Sequence, residues 1–449
     1  MELKSLGRIL FITSIVVFIL NIFLILPGKI LLVSYLTPIF GIFSLFLFRK
    51  RIIIGPGLSI SILVMILRYI LSPILLSTSS FSTYFDNQDY DSIITFFLMV
   101  IEMIIILIVI NRYTSKSYCN NLPSNKDYSY SLTFLFLIIS IIWTLSDPLP
   151  LSRYNFITTG GEELIKTDLS DSDKGLPRVL DITHKFLLMS VFYIVFKLHS
   201  VYNKKIILYI GLIVVISLAS FYQDTSRNSM LIPLLTILFL SMKTFPKYKR
   251  TVLISILTLI VVSMSLLSVM KFFRTNEVTK GLITNEVSAK YINDYFGGFY
   301  EVYLAVQHSD RIKSKIDNKT LLNEFFGTTI LLDKYMDTDN RTTKFYLQTA
   351  YEHSHIIPTI GQGYCYFGFA FSWIFSLFIF LIIIYFDRLY FLTDRIDLAF
   401  IYTFVSVKIG WQHPGNFTIA FTTLNLFIVM FLLVLISFYI GKKFKFKKY

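Results

Sequence analysis

The stretch FTIAFTTLNLFIVMFLLVLISFYI, residues 417–440, decides the fold class of this protein. It contains no charged residue and is long enough to cross about 30 Å of hydrocarbon as an α-helix. A second run of the same kind covers residues 251–270. Lipid offers the backbone no hydrogen-bond partners, so only helices and closed barrels cross a bilayer, and these runs do not alternate as barrel strands do. The sequence therefore predicts an all-α polytopic integral membrane protein.

The composition of the whole chain supports the membrane class. Its 449 residues are 55% hydrophobic and only 16% charged, which is too apolar for a soluble protein of this length. A net charge of +14 would suit a nucleic-acid partner if the basic residues clustered on a polar domain. Most of the excess of basic over acidic residues lies instead in short loops and in the C-terminal tail. We therefore predict contact with the lipid bilayer and no nucleic-acid partner.

Similar apolar runs recur along the chain and predict about twelve transmembrane helices. The first run follows Lys4 and Arg8 like a signal peptide, but it lacks a small-x-small cleavage site, so we interpret it as a retained helix. The predicted segments are residues 9–26, 30–48, 52–76, 93–111, 131–146, 185–200, 206–222, 228–243, 251–270, 356–386, 398–411 and 417–440.

Basic residues separate the predicted short loops into two sets. One set is rich in lysine and arginine and includes residues 49–51, 204–205, 243–250 and the tail at 442–448, whereas the other set holds almost none. Basic loops stay on the cytoplasmic side of a membrane. The pattern predicts a multi-pass protein with both termini in the cytoplasm.

Two of the predicted outer loops are long, which indicates a function rather than a simple connection. The sequence divides into residues 1–270, with nine helices and an outer loop at 146–185, a large extracytoplasmic loop at 271–354, and residues 355–449, with three helices and the basic cytoplasmic tail. Within the large loop, residues 295–306 and 321–335 have helix-compatible apolar composition. We expect this loop to fold against the membrane domain.

Three ionisable residues fall within or near predicted helix interiors, where an unpaired charge costs several kcal/mol. Arg68, Glu102 and Lys408 are these residues. One interpretation is an internal ion pair, or a snorkelling side chain for Lys408. The other places Arg68 and Lys408 near the outer mouth of a cavity, where they attract phosphate and Glu102 partners one of them. The sequence alone does not distinguish these two interpretations.

Two arginines at predicted outer positions are candidate phosphate ligands. Arg227 lies in a short polar break between two apolar runs, and Arg274 follows the ninth segment directly. A guanidinium offers a permanent charge and a planar fork for phosphate oxygens. The alternative for Arg227 is an ordinary hairpin turn with a snorkelling side chain, and for Arg274 an ordinary interfacial anchor.

Histidines at the predicted outer face are candidate proton acceptors. His353 and His355 border the large loop, and His413 lies in the last outer turn. Histidine titrates near neutral pH and can accept a proton from a sugar hydroxyl. Each could equally be a polar residue at a membrane interface. Two histidines at i and i+2 without a cysteine partner match no compact zinc pattern, so we predict no metal.

Common cofactor motifs are missing from the sequence. It contains no Walker-type phosphate loop, no Rossmann glycine fingerprint and no HExxH motif, so we predict no cofactor. Asp337 and Asp339 have the spacing of a sugar-nucleotide transferase motif, but their polar surroundings are typical of a turn.

The order of these features resembles the Wzy-type O-antigen and capsular repeat-unit polymerases, which are related to the O-antigen ligases. The resemblance rests on many helices, Ser226-Arg227 opening a helix, Lys271 to Arg274 entering a large outer loop, and His353-Ser354-His355 before the glycine-rich run GQGYCYFGFAF. It implies a GT-C-like membrane glycosyltransferase in the bacterial cytoplasmic (inner) membrane. The implied reaction polymerises undecaprenyl-diphosphate-linked oligosaccharides for lipopolysaccharide or capsule.

The resemblance also implies roles for individual residues. Arg227 and Arg274 would bind the donor diphosphate, and His353 or His355 would be the catalytic base. The implied partners are the lipid-linked oligosaccharides, with a chain-length regulator and a flippase of the same pathway. The candidate accessory residues are Arg68, Arg153, Arg178, Lys408 and His413.

Two other functions stay open. A ligase-type transferase would move glycan onto a different acceptor, and sequence separates it poorly from a polymerase. A lipid-linked oligosaccharide flippase would have midplane charges and two similar halves, whereas this chain has few such charges and no internal repeat.

Overall fold

The computed structural model describes residues 3–24, 32–49, 53–78, 89–113, 142, 175–221, 227–254, 258, 292–327, 336–337, 339–350 and 356–443. Within these ranges the protein is all-α and contains no strand. The fold class predicted from the apolar runs is therefore confirmed at this level.

Six of the described helices are long and apolar enough to cross a membrane. Three shorter apolar helices cover Leu32–Leu47, Lys205–Ile216 and Leu231–Thr244. The predicted segments at 131–146 and 251–270 lie mostly outside the described residues, so the count of twelve stays a prediction. The six candidate spans are Leu3–Phe23, Pro56–Thr78, Tyr90–Tyr113, His184–Tyr202, Ile374–Leu392 and Phe417–Ile436.

The chain forms two compact units, each built from separated stretches of sequence. Unit 1 consists of Met1–Cys119, Leu282–Arg388 and Val405–Asn425. Its helices before the large loop are α1 (Leu3–Leu24), α2 (Leu36–Leu47), α3 (Pro56–Ile66), a π-helical turn (Leu67–Leu71), α4 (Ser72–Thr78) and α5 (Tyr90–Tyr113).

Unit 2 consists of Asn120–Gly281, Leu389–Phe404 and Leu426–Tyr449. Lys243 is buried in it and donates hydrogen bonds to the carbonyl oxygens of Tyr390 and Thr393, at the C-terminal end of the helix Ile374–Leu392, where a positive charge is favourable. The described helices of unit 2 before the large loop include α6 (Gly175–Tyr202), α7 (Lys205–Phe221) and α8 (Arg227–Thr244). Helix α6 begins inside the predicted outer loop at 146–185.

Among the described residues of the predicted large loop, unit 1 includes a group of short helices that we call the cap: α9 (Phe299–Gln307), α10 (Ser309–Lys313), α11 (Asn318–Phe326) and α12 (Thr342–Ala350). The helix expected in 295–306 is confirmed by α9. Of the run 321–335, α11 covers the first part and residues 328–335 lie outside the described residues.

Two buried glutamates hold the cap together. Glu301 accepts a hydrogen bond from the Tyr346 hydroxyl at 2.9 Å. Glu324 accepts one from the Thr342 backbone N–H at 2.8 Å and another from the Thr418 hydroxyl. Paired polar groups of this kind cost little when buried. The cap is thus a folded part of unit 1, as the composition of the loop predicted.

The segment predicted as one crossing at 356–386 is wrong, because the chain forms two helices there. These are α13 (Thr359–Phe371) and α14 (Ile374–Leu392). Gly368 has φ +71°, which glycine adopts without the clash of a Cβ atom, and the chain then folds back so that Gly363 packs on the Ser372 carbonyl. Because the residues on both sides of this break are apolar, a hydropathy pattern shows one continuous segment.

The last two helices are α15 (Ile396–Gln412) and α16 (Phe417–Lys443). In unit 1, α3 lies close to α15 because Gly57 and Gly410 face each other, and a Cβ on Gly410 would meet the Gly57 carbonyl oxygen. Asp387 of α14 accepts hydrogen bonds from the Gly57 and Leu58 backbone N–H groups at 2.8 and 2.9 Å. These contacts fix α3, and with it the π-helical turn that follows.

Candidate functional site

A buried set of polar side chains lies in unit 1 where the π-helical turn faces α5 and α14. Arg68 Nη2 is 2.9 Å from Glu102 Oε2, and both side chains are fully buried. The Tyr69 hydroxyl donates to Glu102 Oε2 at 3.1 Å, and the Ser376 hydroxyl donates to Glu102 Oε1 at 2.6 Å. We call these four residues the Arg68 cluster. Of the two alternatives carried from the sequence, the structure shows the internal ion pair.

The π-helical turn carries two adjacent residues, Arg68 and Tyr69, whose side chains contact the same carboxylate. In an α-helix, neighbouring residues point about 100° apart, and the wider turn at Leu67–Leu71 changes that spacing. The backbone carbonyl of Tyr69 accepts a hydrogen bond from the Thr37 hydroxyl at 3.1 Å. The aromatic ring of Tyr69 stacks on Phe40. The turn is therefore supported by α2. Turns of this type are frequent at functional sites.

The guanidinium of Arg68 is only partly satisfied by Glu102. Among the described residues, its Nε and Nη1 atoms have no hydrogen-bond partner although they are buried. A buried donor without a partner costs about 1–3 kcal/mol, and more on a charged group. Three N–H groups, one on Nε and two on Nη1, therefore lack an acceptor among the described residues.

His413 lies in the turn between α15 and α16 and is buried. Its Nδ1 is 2.9 Å from the Gly410 carbonyl oxygen, and its ring packs edge-on against Phe380. Burial lowers the pKa of His413 to about 3; the Gly410 hydrogen bond opposes this shift, while the positive charge of Arg68 adds to it. The imidazole is neutral at physiological pH.

The hydrogen bond to Gly410 also assigns the tautomer of His413. A carbonyl oxygen can only accept, so Nδ1 carries the proton and Nε2 presents a lone pair. Within the described part of the chain, Nε2 has no hydrogen-bond partner. Nε2 of His413 is thus an acceptor without a partner among the described residues, just as Nε and Nη1 of Arg68 are donor atoms without one.

Asn293, just before the cap, and two side chains of α13 contact the segments that carry Arg68 and His413. Ser72, one turn after Arg68, donates to Asn293 Oδ1 at 3.2 Å. Thr359 Oγ1 donates to the His413 carbonyl oxygen at 2.8 Å, and Gln362 Oε1 accepts from the Phe417 backbone N–H at 2.8 Å. The turn that carries His413 is therefore held by side chains of α13, and Ser72, directly after the π-helical turn, contacts Asn293, which precedes the cap in sequence.

Most residues predicted for the site lie outside this cluster or outside the described residues. Lys408 is half-buried on α15 and has contacts of its own. Arg227 and Arg178 belong to unit 2, where Arg227 opens α8 and Arg178 lies in the first turn of α6. The remaining predicted residues, His353, His355, Arg274 and Arg153, lie outside the described residues.

Sequence reasoning missed two members of the cluster. Ser376 lies in a continuous apolar run, where a serine usually bonds to its own helix backbone. Tyr69 is one of 28 tyrosines, and only the π-helical turn directs it to Glu102. The one available signal was that Arg68 and Glu102 each needed a partner in lipid.

Comparison with known proteins adds no relative to these observations. No protein-family model, no curated protein and no solved structure matches the chain.

Proposed function

We propose that the protein is a metal-independent membrane glycosyltransferase that polymerises undecaprenyl-diphosphate-linked oligosaccharide repeat units. The reaction would take place at the outer face of the bacterial cytoplasmic membrane. The observation that carries this proposal is that the cap, formed from the predicted outer loop, folds in unit 1 together with a buried polar cluster in which Arg68 has donor atoms without a partner among the described residues. An enzyme for lipid-linked glycan needs both a bilayer-embedded part and a polar surface for sugars.

The proposed reaction is a direct displacement at the anomeric carbon. A hydroxyl of one lipid-linked repeat unit attacks this carbon on the growing glycan, and the bond from it to the lipid diphosphate oxygen breaks. Arg227 and Arg274 would stabilise the charge that develops on the departing diphosphate. His353 or His355 would take the hydroxyl proton, a step typically worth about 10²–10⁴-fold in rate.

Glycan chain length in cells with and without the gene tests the function. We expect the deletion strain to carry single repeat units on the final acceptor, visible as a short band on a gel. Lipid-linked material that never reaches the acceptor would instead indicate a ligase. Loss of all outer-face lipid-linked repeat units would indicate a flippase.

Variants of Arg227 test the proposed diphosphate site. Arg227→Ala should abolish long glycan while the protein still accumulates in the membrane, and Arg227→Lys should restore it poorly because the planar fork is lost. Arg311→Ala, at an exposed position of the cap, is the matched control and should leave chain length unchanged. Normal chain length in both Arg227 variants would exclude this assignment.

Variants of the two border histidines test the proposed base. If one of them takes the hydroxyl proton, only its alanine variant should approach the phenotype of Arg227→Ala. Equal, mild phenotypes for His353→Ala and His355→Ala would exclude both.

A further inference from the structure

Two membrane-length segments of unit 1 give a scale of depth. Glu102 is the thirteenth of the 24 residues of α5, and Arg68 is the thirteenth of the 23 residues in Pro56–Thr78. If the bilayer surface lay at Glu102, only eleven residues of α5, or about 17 Å, would remain within a hydrocarbon core of about 30 Å. Helix α5 can cross only if the Arg68 cluster lies near the middle of the bilayer.

Helix α9 lies beside the half of α5 that precedes Glu102. Just before α9, Asn293 Oδ1 accepts a hydrogen bond from Ser72, which directly follows the π-helical turn. Further along α9, the Tyr303 hydroxyl donates at 3.0 Å to Asp89 Oδ2, immediately before α5 begins. The nine residues of α9 cover about 14 Å, about half of the hydrocarbon core. On this scale, α9 has the length and position of one leaflet.

Helix α13 lies at the same depth. Gly361 packs so closely on α9 that an added Cβ atom would lie 2.6 Å from the Ala305 Cβ. The hydroxyl of Thr359 donates to the backbone of the turn between α15 and α16. After α13 the chain returns to the Arg68 cluster at Ser376, which donates to Glu102. The path from Thr359 to Ser376 therefore enters and leaves one side of unit 1 without crossing it.

Helix ends at this depth have hydrogen-bond partners within the protein. The carbonyl oxygen of Asn293 accepts from the Gly298 backbone N–H, and its side-chain oxygen accepts from the Tyr300 backbone N–H, both at the start of α9. Gln362 Oε1 accepts from the Phe417 backbone N–H at the start of α16. Lipid supplies no such partners, so half-length helices occur within a bilayer only where the protein supplies them. These contacts meet that requirement.

Exposed aromatic side chains follow at the end of α13. We call residues 367–373 (FGFAFSW) the aromatic turn. Its Phe367, Phe369 and Phe371 side chains are 37%, 43% and 56% exposed. Phe97 of α5, five residues before Glu102, is 50% exposed. The aromatic turn thus presents apolar surface at a depth where the length of α5 requires acyl chains.

We propose that α9 and α13 lie within the leaflet on the cap side of the bilayer, and that the aromatic turn contacts the acyl chains of its lipids. The rest of the cap then begins at the membrane surface, where α10 follows α9. This placement requires neither the proposed enzymatic activity nor a particular orientation of the chain, so the two proposals can fail separately. It adds a lipid-contact surface to a stretch that hydropathy assigns to a single crossing.

Cysteine reactivity in lipid nanodiscs, in which both membrane faces meet the solvent, tests this depth. Phe371→Cys, Phe97→Cys and Ser314→Cys are each made in a Cys119→Ser background, and Cys365 is buried. A thiol must ionise to react with a maleimide, and hydrocarbon suppresses ionisation. We expect Phe371→Cys and Phe97→Cys to react with a charged maleimide at least about tenfold more slowly than the exposed Ser314→Cys, and all three to react equally after denaturation.

Faster reaction would overturn the placement in either of two ways. If Phe371→Cys and Phe97→Cys both react as fast as Ser314→Cys, the bilayer surface lies at the Arg68 cluster and the cap lies in water. If Phe371→Cys alone reacts as fast, the aromatic turn lines an aqueous space instead of meeting lipid.

Tryptophan fluorescence identifies what covers the aromatic turn. Trp373 is half-buried in the turn, and Trp143→Phe with Trp411→Phe leaves it as the sole tryptophan. Nanodiscs of dibrominated phosphatidylcholine should lower its emission about twofold relative to the unbrominated lipid, because the bromine atoms lie within the hydrocarbon core. The turn itself is unchanged in this variant, so the measurement does not depend on the folding of Phe371→Cys.

The matched control carries its only tryptophan in the exposed part of the cap. Ser314→Trp, with Trp143, Trp373 and Trp411 each replaced by Phe, should keep its emission in the brominated lipid. Unchanged emission from Trp373 would mean that protein covers the aromatic turn, either another segment of this chain or a second copy. That result would overturn the proposal.

Discussion

Arg68 and Glu102 are the residues on which the stability of unit 1 depends most directly. Both are fully buried in an apolar bundle, so removing one leaves the other as an uncompensated charge. We predict that Glu102→Gln lowers the free energy of unfolding by about 3–5 kcal/mol, and that the neutral double variant Arg68→Gln, Glu102→Gln recovers most of this loss. Unfolding in mixed micelles with increasing sodium dodecyl sulfate measures both.

An exposed ion pair provides the control for this comparison. Lys344 and Asp339 are 3.7 Å apart with side chains 52% and 81% exposed. Lys344→Gln should change the free energy of unfolding by no more than about 0.5 kcal/mol, because water screens exposed pairs. If Glu102→Gln were equally mild, the buried pair would be reached by solvent and the enclosed site would be disproved.

His413 predicts how stability depends on pH. Its pKa is lowered to about 3 in the folded chain, mainly by burial, from an ordinary 6.5. The His413 side chain therefore binds a proton more readily in the unfolded chain than in the folded one. As a result, the contribution of neutral His413 to the free energy of unfolding is complete above pH 6.5 and is lost as pH falls towards 3. Between pH 8 and pH 5 we expect a loss of about 2 kcal/mol.

The matching variant is His413→Gln, which does not titrate. Its unfolding free energy should fall less over the same pH range than that of the natural protein, with both proteins measured at pH 8 as the reference. Parallel curves for the two proteins would mean that His413 is accessible to protons in the folded state.

At the scale of elements, the break between α13 and α14 depends on two glycines with different surroundings. A Cβ on Gly363 would clash with the Ser372 carbonyl, which is backbone and cannot move alone, whereas Gly368 has open space around it but φ +71°. We predict that Gly363→Ala costs about 3 kcal/mol of stability and Gly368→Ala about 1 kcal/mol. The opposite order, measured by the same unfolding assay, would show that this break is not a close packing of two helices.

The elements also show what the sequence could predict. Long apolar runs predicted α1, α5 and α16 because a bilayer requires a continuous apolar length of chain. The break at Gly368 escaped prediction because glycine is tolerated inside membrane helices and its neighbours are apolar. The π-helical turn escaped it too, since it depends on contacts with α2 rather than on local sequence.

The candidate site was only partly predictable for a related reason. Arg68 and Glu102 were singled out because charged groups are costly inside a membrane helix, and His413 because a histidine at the predicted outer face could accept a proton. That cost identifies residues that need partners but does not name the partners. Which residues meet was set by chain stretches far apart in sequence, and Ser376 joins Glu102 from 274 residues away.

At the scale of the whole molecule, the predicted topology places the cap on the outer side of the cell membrane. Ser314 is exposed in the cap, and Lys204 is exposed in a predicted cytoplasmic loop. In a Cys119→Ser background, Ser314→Cys should react with a membrane-impermeant maleimide on intact spheroplasts. Lys204→Cys should react only after permeabilisation. Cys365 is buried and should add little background.

The labelling experiment tests the predicted membrane topology without testing the fold. Labelling of Lys204→Cys on intact spheroplasts with protection of Ser314→Cys would invert the topology and place the cap in the cytoplasm. The proposed use of outer-face lipid-linked glycan would then be excluded, although the helices and the buried ion pair would stand.

The closeness of Arg68 and Glu102 along the chain has a consequence for biogenesis. The two charges lie on successive membrane-length helices, Pro56–Thr78 and Tyr90–Tyr113, so both emerge from the ribosome within a short interval. Each charge alone opposes partition from the translocon into lipid by about 3 kcal/mol. If the two helices leave the translocon together as a hairpin, they enter lipid already neutralised. Ser376 and His413 are synthesised much later, so the charge problem is solved before the site is complete.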